Sequence, residues 1–303
     1  MANSCKGSRS LILAGCLVFC GACADAESGG DKARAAQFVG TWNYDFPDWQ
    51  SGRGIGKITC PATDATAGFT LAIPQIGNIE LMKVDDRTIA GTTDQGCRWT
   101  FGVQGNGAEL EPTSQSCFNH VINSSYTLDW TLSVEGAHAT EVITGASHLP
   151  NGDCDFELEA TRTKVDPAAE ATAAFVGTWT FDPSDSQTRV NVLQTACPSS
   201  DGGTPQIEYA PVTGKLVIAK SGDNAISVMT DDGCTFELTV AGNTAELNAS
   251  PQVCQPTDGG PGRSVSFWSM ASDGRHQAAI IAGSTPEPLE DCSTLVSAGS
   301  LSQ

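Results

Sequence analysis

Phe38-Val39-Gly40-Thr41-Trp42 recurs 137 residues downstream as Phe175-Val176-Gly177-Thr178-Trp179. The cysteines that follow keep the same frame. Cys60 and Cys197 each lie 18 residues after their Trp; the next steps are 37 residues, to Cys97 and Cys234, and 20 residues, to Cys117 and Cys254. The last step is 37 residues to Cys154 in the first copy and 38 to Cys292 in the second. A repeated order of cysteine spacings marks a tandem duplication of one disulfide-framed unit. The copies run over residues 37–164 and 174–303, joined by a Pro- and Ala-containing linker at 165–173. Each is about 125 residues long, enough chain to bury a core of its own.

Within a copy the hydrophobic period is two. Cys97, Trp99, Phe101 and Val103 share one face of a strand, with Arg98, Thr100 and Gly102 on the other. Tyr126, Leu128, Trp130, Leu132 and Val134 alternate with Thr127, Asp129, Thr131 and Ser133, and Cys154, Phe156, Leu158 and Ala160 alternate with Asp155, Glu157 and Glu159. Strands with one wet face carry this pattern. Gly105-Asn106-Gly107 supplies a hairpin turn. Nine or ten short strands are expected per copy, all-β, as an up-and-down antiparallel barrel or a sandwich. In the second copy Val265 and Phe267 take the places of Leu128 and Trp130, and Ile280-Ile281-Ala282-Gly283 answers Val142-Ile143-Thr144-Gly145 at an offset of 138. One residue has therefore been inserted before that strand.

Four cysteines per unit allow three pairings, which spacing leaves open. Nearest-neighbour pairing, Cys60 with Cys97 and Cys117 with Cys154, is the expectation adopted. Neither unit contains a CxxC or a His in fixed relation to its cysteines, so no metal site is expected.

Residues 1–24 read as an export address: Lys6 and Arg9 precede a short apolar run from Leu11 to Ala22, too short to span a bilayer as a helix. Leu13-Ala14-Gly15-Cys16 has the form of a bacterial lipobox; Cys20-Gly21-Ala22-Cys23 is better placed and is followed by a polar tether at 25–36. Lipidation at Cys16 or Cys23, or plain cleavage after Ala24, all export the chain. Export places it in the outer membrane, at the cell surface, in the periplasm or outside the cell. Disulfides belong in those compartments. Any membrane attachment would be through the lipid alone.

The chain carries 35 acids against 16 bases, a net charge of −19, and loss of Lys6 and Arg9 with the leader deepens it to −21. Such a surface repels nucleic acid and anionic membrane.

Duplication offers a test for catalysis, since a chemistry run by both units should survive in both. Matched ionisable pairs are Asp45/Asp182, Asp64/Asp201, Lys83/Lys220, Asp86/Asp223, Asp94/Asp231, Glu109/Glu246 and Asp153/Asp291. None of the four His (His120, His138, His148, His276) and no Arg is matched on this alignment. Ser147, His148 and Asp153 are triad residue types, but adjacent strand residues point to opposite faces. Gly52-Arg53-Gly54-Ile55-Gly56-Lys57 lacks the P-loop spacing, and Asp94-Gln95-Gly96 and Asp231-Asp232-Gly233 lack the EF-hand spacing; all read as turns. No catalytic, cofactor or metal set is expected.

Gly40-Thr41-Trp42 and Gly177-Thr178-Trp179 resemble the Gly-x-Trp motif on the first strand of lipocalin-like (calycin) barrels. The wider plan looks like bacterial secreted tandem-repeat lipoproteins. The resemblance implies a small barrel with an apolar cavity open at one end, and an Arg near the last strand packed over the Trp. Arg162 would fill that role in the first copy, with Ser300 standing opposite in the second.

The functional expectation is a non-enzymatic exported binding protein holding a small apolar ligand in one or both barrels. Trp42, Trp99, Trp130 and Trp179 are the expected pocket-lining residues. The alternative is a structural or adhesive surface protein with packed barrels and an acidic face toward cations or polysaccharide. Cavity volume separates the two. Oligomeric state is open.

Overall fold

The computed structural model describes residues 34–62, 68–119, 124–149, 152–166, 171–199, 206–257, 259, 262–285 and 292–303. The expected export segment at residues 1–24, with Cys16 and Cys23, lies outside them, as do Asp64, Asp201 and Asp291.

Eleven strands form the first unit: β1 (Gly40–Tyr44), β2 (Ile55–Cys60), β3 (Phe69–Pro74), β4 (Asn78–Lys83), β5 (Thr88–Thr93), β6 (Arg98–Gln104), β7 (Gly107–Leu110), β8 (Gln115–Asn119), β9 (Ser124–Glu135), β10 (His138–Leu149) and β11 (Gly152–Lys164). Eight of them, β1-β4-β5-β6-β7-β9-β10-β11, run antiparallel in that order, and β11 pairs back onto β1 with Tyr44 opposite Arg162. The sheet is therefore a closed barrel and not a sandwich. The hairpin β2–β3 is an excursion that adds to the outer end of β11, and β8 adds to β9. These three additional strands raise the count above the nine or ten read from periodicity.

The second unit repeats the plan. Its strands are β12 (Gly177–Phe181), β13 (Val192–Cys197), β14 (Gln206–Pro211), β15 (Lys215–Gly222), β16 (Ala225–Thr230), β17 (Thr235–Ala241), β18 (Thr244–Leu247), β19 (Gln252–Cys254), β20 (Arg263–Ser272), β21 (His276–Thr285) and β22 (Cys292–Ser302). Again eight close on themselves, through β12 and β22.

The disulfides join Cys60 to Cys154 and Cys97 to Cys117, with Cys197–Cys292 and Cys234–Cys254 as their copies. Nearest-neighbour pairing is thereby corrected. Asp155 pairs with Thr59, so β11 lies beside β2 and brings residues 94 apart in sequence into bonding range. The smaller bridge ties β8 back to the head of β6.

Two β-bulges realign the copies. Val265 pairs with Gly283 and Phe267 with Ala282, leaving Ser266 as an extra residue in β20. Asp129 occupies the Phe267 register, and the residue in the Trp130 register is Trp268, opposite Ile281 as Trp130 is opposite Ile143. Phe267 itself faces outward. A second shift, between Ala279 and Ile281 on β21, moves the end of β22 by another residue. Leu301, not Ser300, then stands where Arg162 stands, opposite Phe181 as Arg162 is opposite Tyr44. His276 also matches His138 at the shifted offset: the two pair with Ser302 and Thr163 at the same place in each barrel. The absence of matched His is corrected on this point.

One end of each barrel is closed in the same way. Residues 34–38 are helical and set Ala35 and Phe38 into the core, while Gln37 bonds to Gly105 in the β6–β7 turn. A 3₁₀ turn at Thr172–Ala174 and Phe175 do this in the second barrel, where Ser272 of the β20–β21 end donates to Ala174 O at 2.6 Å.

The barrels pack against each other asymmetrically. The open end of the first presents Ile76, Ile73 and Phe46 to the outer face of the second, where Ala271, Ala278, Ile280, Phe267 and Leu295 receive them. Asn43 bonds to Asn243 at 3.1 Å, Asn243 to Tyr44 O at 2.8 Å and Asn78 to Glu246 at 2.6 Å. The equivalent outer wall of the first barrel carries Ser133, Thr140, Val142, Asp129 and Glu157. Val142 is 46% exposed where Ile280 is 8%. Of these two matched walls, the covered one carries the apolar row.

Candidate functional site

The two interiors diverge through replacements that act together. In the first barrel Arg162 and Glu141 form a buried ion pair at 2.7 Å. Trp130 Nε1 donates to the same Glu141 oxygen at 3.2 Å, Arg162 Nη1 donates to Trp42 O at 3.1 Å, and the guanidinium lies 3.4 Å over the Tyr44 ring. Burial works against the Arg162 charge, but Glu141 and Tyr44 beside it outweigh that and raise its pKa. Burial likewise pushes the Tyr44 hydroxyl well above its ordinary value, with Arg162 opposing and Glu141 reinforcing the shift. In the second barrel the register puts Leu301, Ala279 and Phe181 at these three positions. A charge left without its partner would be costly in such a core. Losing all members together avoids that cost and leaves an apolar interior.

Aromatic filling is lost at the same time. Tyr126 and Phe156 pack edge-on at 5.9 Å in the first barrel, and Trp99 sits 5.9 Å from Trp130. The counterparts of Tyr126, Phe156 and Trp99 are Arg263, Thr294 and Phe236, while Trp130 keeps an indole in Trp268. The consequence is space: a cavity of about 120 Å³ in the first barrel and about 480 Å³ in the second. The larger one is walled by Phe236, Trp268, Val265, Leu216, Ile281 and Val296. Trp268 is buried with its indole N–H unpartnered, a hydrogen-bond donor among apolar walls.

The second cavity's rim is polar. Arg263 pairs with Asp232 at 2.8 Å, and Asp231 accepts the Lys215 N–H at 2.9 Å. Burial alone would raise the Asp232 carboxyl, but the Thr230 hydroxyl, the Cys234 N–H and Arg263 hold it below its usual value. Asp231 and Asp232 sit in the β16–β17 turn, at the end opposite the 3₁₀ plug. Thr213 and Pro183 replace the Ile76 and Phe46 that cover the matching end of the first barrel. Apolar walls with a few placed polar groups are what a small-molecule pocket requires.

Of the expected pocket residues, Trp99 and Trp130 line the smaller cavity. Trp42 and Trp179 line neither. Both are fully buried, and each indole donates to the carbonyl four residues back, Phe38 O and Phe175 O, at 2.6 Å. They hold the plug at the closed end. The cation over the Trp42 ring is Lys164, at 5.5 Å; Arg162 covers Tyr44 instead. Trp268 escaped the sequence reading because the bulge at Ser266 shifts the alternation by one.

Ser147 points inward to Ser124 at 3.2 Å, while His148 points outward to Asp153 at 2.7 Å and Thr127 at 3.0 Å. The three triad types are thus divided between the two faces of the sheet. Among the described residues no cluster of three or more metal-ligating side chains is found.

No protein-family model matches the chain, and no curated protein matches it. Among solved structures, a "putative outer membrane protein" of Bacteroides fragilis NCTC 9343 aligns over 89% of this chain and 99% of its own, with 11% identity and a TM-score of 0.25. At that TM-score the likeness carries no argument about role. The geometry defines the class: two tandem eight-stranded antiparallel barrels, one densely filled and one hollow.

Proposed function

We propose that this is an exported, non-enzymatic binding protein whose second barrel holds a small apolar ligand. The first barrel serves as the packed partner that fixes it in place. The leader sequence and the four disulfides support export, with lipidation at Cys16 or Cys23 tethering the barrels to a membrane surface. The observation that carries the ligand reading is the cavity of about 480 Å³. A duplicate that merely drifted would be expected to refill its core, because voids forfeit packing. Here the ion pair, two rings and the covering apolar rim are absent from the same barrel. A purely structural role gives no reason for that combination.

Native mass spectrometry of protein purified from its own host tests the reading. A retained small molecule, lost in Val296→Phe, is the expected result. A clean apo mass, with no change in Trp fluorescence across a panel of lipids and apolar metabolites, would overturn it.

A further inference from the structure

The first barrel's smaller cavity contains a feature the apolar reading leaves unused. Asp94 Oδ2 and Trp99 Nε1 both lack a hydrogen-bond partner, and both residues line this cavity. Trp99 is only 4% exposed. An orphaned acceptor and an orphaned donor are each costly to bury. We propose that this cavity is a second binding site, for a small protonated amine that also carries a hydrogen-bond acceptor. Its ammonium meets Asp94 and its acceptor meets the Trp99 indole.

The charges around the site favour a cation. Arg162 on β11 also lines the cavity, but Glu141 on β10 and the Trp42 carbonyl on β1 take its Nε and one Nη1 hydrogen, and Tyr44 takes its face. The other Asp94 oxygen accepts the neutral Gln95 N–H, at 3.0 Å. Across the barrel contact, Glu246 on β18 adds a second carboxylate, held by the neutral amide of Asn78 on β4. Neither Asp94 nor Glu246 has a cation within ion-pair distance among the described residues. Burial first, and Glu246 second, push the Asp94 carboxyl well above its ordinary value, and Arg162 offsets them only in part. A bound ammonium supplies the missing positive charge. Trp130, Tyr126 and Phe156 offer ring surface, which tolerates cations.

Size and cover narrow the ligand further. About 120 Å³ corresponds to roughly four waters of liquid volume, so the guest has on the order of four to six heavy atoms. Ile280 and Ser297 of the second barrel stand in the cavity wall, so the site belongs to the two-barrel unit. The second cavity also holds an unpartnered indole N–H, that of Trp268, but its Asp232 carboxylate is paired with Arg263, and the Asp94 and Trp99 positions differ. Phe236 replaces Trp99 and has no N–H, and Asp231, which replaces Asp94, is satisfied by Lys215.

Calorimetry on the full chain with ethanolamine as probe tests the site, at pH 5 and pH 8 and in two buffers of different ionisation heat. Binding accompanied by proton release, and tighter at pH 8, is expected. n-Propanol, which keeps size and acceptor but lacks the ammonium, should bind at least about tenfold more weakly, as should ethanolamine to Asp94→Asn, since a hydrogen bond to a charged group is lost. Trp99→Phe should weaken ethanolamine by a smaller factor and leave the preference over n-propanol intact. Equal binding of ethanolamine and n-propanol, unchanged affinity in both variants, or no heat with either probe would overturn the proposal.

Discussion

Arg162→Leu should strongly destabilise the first barrel, although leucine is the natural occupant of that register in the second. The guanidinium is buried and sits 2.7 Å from an equally buried Glu141. Removing it strands the Glu141 charge, whose Oε1 already lacks a partner and whose Oε2 is left with neutral donors such as the Trp130 N–H. It also deprives Trp42 O of a donor. Breaking a buried pair from one side costs about 3–5 kcal/mol. Arg162→Leu combined with Glu141→Ala and Tyr44→Phe copies the second barrel and strands no charge. That triple variant should be more stable than the single one by about 2 kcal/mol or more, even with the cavity it opens. Hydrogen-exchange mass spectrometry across a urea series reads peptides of β9–β11 separately from those of β20–β22, which matters because two barrels need not unfold as one. The reasoning fails if Arg162→Leu falls within about 1 kcal/mol of the parent, or if adding Glu141→Ala recovers nothing.

Removing Cys60–Cys154 should cost more than removing Cys97–Cys117, because the closed loops span 94 and 20 residues. The chain-entropy model gives about 4.7 against about 3.3 kcal/mol, and paired Cys→Ala variants in urea melts would show the reverse order if strain or residual structure dominated. Burial raises both Asp94 and Glu246, the former well above its ordinary value. Their contribution therefore favours the docked barrels below the ordinary carboxyl range and is lost as pH rises through the raised values. Without added amine, Asp94→Asn should raise the urea midpoint near neutral pH and leave it unchanged near pH 3.5; an equal shift at both would contradict this. Ile280→Glu places a charge in the covered apolar row and should let the barrels separate, seen as a larger radius of gyration by small-angle scattering with barrel circular dichroism intact. An unchanged radius would show that the Asn43, Asn78 and Asn243 bonds suffice to hold them.

Much of this architecture was legible along the chain. The Gly-Thr-Trp repeat, the cysteine steps and the period-two runs established two like units of antiparallel strands, since strand alternation is a local property that needs no partner to be visible. The contrast between Asp155-Phe156-Glu157 and Ser293-Thr294-Leu295 was also present, with an outward Leu295 where Glu157 stands. An outward apolar residue in only one of two copies is the clue that could have located the barrel–barrel contact. The pairing of the cysteines was not legible, because β2 lies against β11 only once the barrel closes and the hairpin folds back. Trp268 and Leu301 were misaligned because a bulge changes the parity of a strand, and parity determines which side chains face in.

By itself the sequence determined the duplication, the all-β class and the cysteine frame, each of which rests on short-range spacing or composition. Only the tertiary structure decided which barrel is hollow and which is filled. That outcome depends on Arg162, Glu141 and Tyr44 meeting across 118 residues of chain, and on Leu301, Ala279 and Phe181 meeting in their stead. Packing and charge compensation act between neighbours in space, and closure of the sheet is what makes these residues neighbours.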